Sequence, residues 1–121
     1  MAYVDGFLIP VPDARKDEYR AHEDKWFPWF RDRGATSLVV CWGDEVPAGT
    51  ATDFRRAVDL QEGETVVFAW MTWPDKATRD KAFAGMMEDT DMAAAEMPFD
   101  GKRMVYGGFQ PILSIGSEVS A

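Results

Sequence analysis

The segment Glu64 to Trp73 carries apolar or β-branched side chains at odd and even positions alike: Thr65, Val66, Val67, Phe68, Ala69, Trp70 and Met71 run together without a polar break. A strand of this kind presents apolar groups to both faces of its sheet, so both faces must be covered. Thr36 to Trp42 has the same character. This constrains the fold more than any other feature, because the chain offers only two helices of useful length to do the covering.

The first helix follows a strand over Tyr3 to Val11. Asp13 stands where an N-cap belongs, and Tyr19, His22, Trp26, Trp29 and Phe30 are spaced to share one helical face. Arg31 and Arg33 close the segment, Gly34 is placed to cap its C-terminus, and Pro28 predicts a kink, since it deletes the bond to the Asp24 carbonyl. Pro74 and Asp75 open the second helix, whose buried stripe is Ala82, Phe83, Met86 and Met87. Between the inner strands, Gly43 to Thr50 reads as a loop, and Thr52 to Leu60 as one helical turn followed by an extended piece. A short helical piece over Asp91 to Met97 is stopped by Pro98. Asp100-Gly101 then turns the chain into a last strand, Lys102 to Leu113, where Gly107 and Gly108 predict a bulge or sharp bend.

The order strand, helix, strand, strand, helix, strand predicts an α+β, ferredoxin-like βαββαβ domain over residues 1–113, with a four-stranded antiparallel sheet and both helices on one face. The tail, residues 114–121, is expected to fray. Trp42, Phe68, Trp70, Tyr106 and Phe109 cannot all lie under two helices, and an exposed apolar face of that size is a liability in a monomer. A second copy, sheet against sheet, is the economical solution, which makes the expected partner the chain itself.

Composition excludes several other classes. Thirteen Lys and Arg against twenty-one Asp and Glu leave a net charge of −8. Nucleic acid and anionic membrane surfaces are therefore poor partners. Val66 to Trp73 is too short to span a bilayer, and the first residues lack a basic n-region and carry Asp5 early, unlike a signal peptide. A cytoplasmic protein is the resulting expectation. Cys41, the single cysteine, reads as a buried, inert thiol in mid-strand. No phosphate loop, nucleophile elbow or calcium loop occurs in the sequence. Neither a metal nor a cofactor is expected, and no catalytic residue is assigned.

Several blocks carry a resemblance to a known family. They are Tyr3-Val4-Asp5-Gly6-Phe7, Cys41-Trp42-Gly43-Asp44-Glu45-Val46-Pro47, Thr65 to Trp70, Trp73-Pro74-Asp75-Lys76-Ala77-Thr78-Arg79-Asp80, and Met97-Pro98-Phe99-Asp100-Gly101-Lys102-Arg103-Met104-Val105-Tyr106-Gly107-Gly108-Phe109. Together these resemble the DUF1428 family, with its YbaA-like bacterial members, from about residue 2 to about residue 113. The resemblance implies a dimeric α/β barrel, the architecture of small antibiotic-biosynthesis-type monooxygenases, and no particular activity. Val40 departs from the family pattern, which has an acid there; His22 and Trp26 do not belong to it.

Asp5 and Arg103 lie on the first and last strands, antiparallel neighbours in such a sheet, and are expected to meet as a structural ion pair or as part of a ligand site. The candidate ligand-binding residues are Asp5, His22, Trp26, Trp70, Arg103 and Tyr106. The expected function is a small soluble homodimer that holds a small organic molecule in the cavity between sheet and helices. The alternative is a cofactor-independent monooxygenase- or isomerase-like enzyme of the same fold, in which Asp5, Tyr106 or His22 handles protons.

Overall fold

The computed structural model describes residues 2–116. Four strands, β1 (Tyr3–Pro12), β2 (Ser37–Trp42), β3 (Glu64–Trp73) and β4 (Val105–Phe109), form one antiparallel sheet in the order β2-β3-β1-β4. Helix α1 (Lys16–Arg31) joins β1 to β2, and α3 (Lys76–Glu88) follows β3. One-turn pieces, α2 (Phe54–Ala57) and α4 (Thr90–Ala94), lie in the connections. This is the ferredoxin-like α+β arrangement, and the two long strands hold its centre, paired from Tyr3 opposite Trp73 to Pro12 opposite Glu64.

Side-chain alternation assigns the faces. Phe7, Ile9 and Val11 of β1, Val67, Ala69, Met71 and Trp73 of β3, and Leu38, Val40 and Trp42 of β2 pack with Tyr19, Phe27 and Phe30 of α1 and with Ala82 and Phe83 of α3. The register puts Val39 beside Trp70 and Cys41 beside Phe68 on the opposite face, joined there by Leu8, Val105 and Phe109. Neither long helix covers them, and only Phe54 of the one-turn α2 packs there: Phe68 is 47% exposed and Phe109 61%. Trp42 and Tyr106 belong to the helix side, so the uncovered aromatics are fewer than the sequence led us to expect. Phe54, Phe68 and Trp70 still form an aromatic row there, with ring centroids 6.1 and 5.6 Å apart.

Local structure departs from the sequence reading in four places. Asp13 does not cap α1; its carboxylate instead accepts from the Thr65 hydroxyl, and a single 3₁₀ turn, Asp13–Arg15, leads into the helix. Helix α1 does not break at Pro28. The lost bond falls near the helix end, at the exposed residue Asp24, and the Asp32 amide donates to the Pro28 carbonyl at 3.0 Å. The last strand is shorter than expected, and its register through Gly107 and Gly108 is continuous, with no bulge. Helix α4 ends at Ala94, before Met97, and is capped by Asp89, whose carboxylate accepts from the Met92 amide at 2.9 Å. Gly34 does end α1, with φ at +112°. The expectation of a frayed tail over residues 114–121 falls mainly on 117–121, which lie outside the described residues.

Candidate functional site

Asp5 sits on the helix side of β1 at 2% exposure, and a carboxylate so placed must be paired. Its partner is Arg79, which donates from Nη2 at 2.9 Å and from Nε at 3.1 Å to Oδ1; the Trp73 indole donates to Oδ2 at 2.9 Å. Helix α3 delivers the guanidinium in its first turn, which Asp75 starts by accepting from the Thr78 amide at 2.7 Å. Arg79 also lies over the Phe83 ring, 4.4 Å from its centroid. The hydrogen bonds that Arg79 donates to Asp5 are the main cause that raises its pKa above the usual value, so the guanidinium stays charged.

Gly108 lies opposite Asp5 in the β1–β4 ladder. A Cβ there would strike the Tyr3 hydroxyl and come within 2.8 Å of Arg79 Nη2. Its glycine therefore serves close approach rather than a bulge.

Next to Asp5 on the same face, Phe7 and Met71 floor an open cleft of about 480 Å³. Phe30 of α1 and Phe83, Met86 and Met87 of α3 form its walls, while Met104 and Tyr106 close the β4 side. Tyr106, 66% exposed, and Met87, 82% exposed, stand at the mouth. The phenol of Tyr106 is the one polar side-chain group in this lining. Four methionines and three phenylalanines make a deformable apolar surface, and the volume lies in the range of small-molecule sites.

The six residues singled out from sequence do not form one site. Tyr106 lines the cleft, and Asp5 lies beside it, already held by Arg79 and Trp73. Trp70 points to the opposite face. Arg103 does not meet Asp5; it donates to Glu64 at 2.7 and 2.8 Å, to Asp100 at 3.0 Å and to the Asp59 carbonyl at 2.9 Å. The reason is the short last strand, which begins after Arg103 and leaves it in the preceding turn. His22 and Trp26 are half-buried on the flank of α1 and line no part of this cleft. Burial, then the nearby Lys25 charge, lowers the His22 pKa, which favours neutral imidazole. Lys25 also sits over the Trp26 ring, 5.4 Å from its centroid.

Arg79 and Trp73 escaped the sequence reading. Arg79 precedes Ala82 by three residues and Phe83 by four, so it occupies a place on the buried stripe of α3. A charge in a buried stripe requires a buried counter-charge, and Asp5 was the acid in need of one. Among the described residues, no group of acids, histidines or cysteines is arranged to hold a metal ion. No helix among them is long and apolar enough to cross a membrane.

A family model described as a protein of unknown function, DUF1428, matches residues 2–101. The chain is 50% identical over 115 residues to the uncharacterised protein YbaA of Escherichia coli K12, covering 93% of this chain and 98% of that one. It is equally similar to YbaA of Shigella flexneri. A dimeric ferredoxin-like protein from an uncultured marine organism superimposes with a TM-score of 0.60 at 8% identity, covering 94% of this chain and 98% of that one. A variant of SnoaB, a cofactor-independent oxygenase from Streptomyces nogalater, gives a TM-score of 0.50 at 14% identity, with 96% of each chain covered.

Proposed function

The chain belongs to the DUF1428 family of proteins of unknown function, and from that premise we propose that it is a homodimeric binding protein that holds a small, largely apolar organic molecule in the cleft between the sheet and α3. The apolar cleft floored by Phe7 and Met71 carries this reading. Its lining offers shape, soft contacts and one phenolic hydrogen-bonding group, which suits an aromatic or aliphatic body with a single polar substituent.

The neighbouring charged groups favour holding a molecule over transforming it. Asp5 spends its carboxylate on Arg79 and Trp73, and His22 lies elsewhere, so Tyr106 is the one proton-bearing side chain in the lining. The uncovered sheet face supports self-association, and the likeness to a dimeric ferredoxin-like protein supports the same geometry.

The test is native mass spectrometry of protein taken directly from cells, followed by titration with 1-naphthol. A retained small molecule, or naphthol binding that Ala84→Trp at the cleft rim weakens at least tenfold, is the expected result. Protein that emerges empty and fails to bind naphthol overturns the reading.

A further inference from the structure

A second concavity, about 970 Å³, runs along the other side of α1 against the edge strand β2. One wall is apolar, built from Leu38, Val40 and Trp42 of β2 with Phe27 of α1. Glu23 lines the same groove, half-buried, and burial alone, with no pairing cation, pushes its carboxyl up to about 7. The groove also reaches Tyr19, whose buried hydroxyl has no hydrogen-bond partner among the described residues. A half-buried acid with no cation beside it is an unusual thing for a chain to keep.

Neighbouring charges do not supply that cation. Strand β2 offers Glu23 no titratable group from its wall, since its contribution is apolar. On α1, Lys16 and Arg20 line the groove together with Asp17 and Asp24, and among the described residues neither cation lies within ion-pair distance of Glu23. Lys16, exposed, lies over the Trp42 ring, 5.0 Å from the centroid, and swings into solvent when an occupant takes that face.

We propose that the groove between α1 and β2 binds a small organic ammonium ion with an aromatic or alicyclic body, its nitrogen against the Glu23 carboxylate and its body against Trp42 and Phe27. The occupant supplies the charge that Glu23 lacks, and the net charge of −8 favours its approach. A carboxylate ligand of the same shape is repelled once Glu23 ionises. This site is separate from the methionine-lined cleft, and the two proposals fail independently.

Benzylamine is the probe, titrated calorimetrically into the full chain at pH 6 and pH 8, with benzoate as the shape control. Benzylamine stays protonated at both values, so its affinity follows ionisation of Glu23 and rises about tenfold between them. Glu23→Gln removes that dependence and weakens binding at pH 8 about tenfold. Trp42→Leu, which keeps Glu23, weakens binding while leaving the pH dependence in place. No benzylamine binding at pH 8, equal binding of benzoate, or binding that Glu23→Gln leaves unchanged overturns the proposal. Ala84→Trp leaves benzylamine binding unaltered, which separates this groove from the other cleft.

Discussion

Asp5 and Arg79 show what a buried charge demands of its surroundings. Removing one partner leaves the other uncompensated in a desolvated site, which costs about 3–5 kcal/mol. Arg79→Ala should therefore lower unfolding free energy by about that amount in urea titrations. The pair Asp5→Ala with Arg79→Met should recover much of the loss, because both charges are then gone. A loss under about 1 kcal/mol for Arg79→Ala would show that water reaches Asp5. Glu23 gives the opposite electrostatic signature. Its native carboxyl, pushed up to about 7, holds a proton that the unfolded chain releases near the ordinary value of 4.5. The stabilisation is fully present below that value and is lost as pH rises through about 7, by about 1–3 kcal/mol. Glu23→Gln should flatten this slope. His22, with its lowered pKa, works the other way, losing stability as pH falls below 6.5, so the variant comparison isolates Glu23.

At the scale of elements, β4 is the most exposed strand and depends on its two glycines for different reasons. A Cβ at Gly108 collides with the Tyr3 hydroxyl and the Arg79 guanidinium, whereas one at Gly107 meets the Phe109 ring at an ordinary 3.5 Å. Gly108→Ala should destabilise by about 1–3 kcal/mol, as overpacking does, and speed amide exchange along β4. Gly107→Ala should leave the stability of the folded chain nearly unchanged. Equal effects of the two substitutions would remove the close-approach argument. Arg103 ties the turn before β4 to Glu64 at the head of β3 and to the Asp59 carbonyl, where φ is +47°. That clasp does what we had expected an Asp5–Arg103 pair to do, at the other end of the strand.

For the whole molecule, the proposed dimer rests on the sheet face that neither long helix covers. A second copy related by a two-fold axis would cover Phe68, Trp70, Val105 and Phe109 with the same residues, burying more than about 1,500 Å² in total. Phe68→Glu or Trp70→Glu should then give monomer or aggregate in equilibrium sedimentation, and the unmodified chain should sediment as a dimer at micromolar concentration. A well-folded monomer from the unmodified chain would overturn the assembly. Cys41 provides a second readout. It lies on this face opposite Phe68 and is half-buried within one chain, less enclosed than its apolar neighbours suggested. Dimerisation should slow its reaction with a thiol reagent, and Phe68→Glu should speed it.

Continuous runs of apolar and β-branched residues were enough to place the two inner strands, because a strand apolar on both faces has few places to go, whereas β4 was read too long. The glycine that ends α1 and the acid that opens α3 were equally legible, since caps act over three or four residues of chain. The family blocks gave the architecture. Pairing across the fold was not legible in the same way. Asp5 had two arginines to choose from, and the end of β4 at Val105 rather than at Lys102 sent Arg103 to Glu64 and left Arg79 to Asp5. Tertiary structure likewise turned α1 so that Tyr19, Glu23 and Phe27, rather than His22 and Trp26, face the sheet side. Spacing defines a stripe on a helix, but only packing against the sheet selects which of two adjacent stripes is buried. Trp70 and Tyr106 were separated for a related reason: each strand's parity is fixed by its register with its neighbours, and register is a property of the assembled sheet.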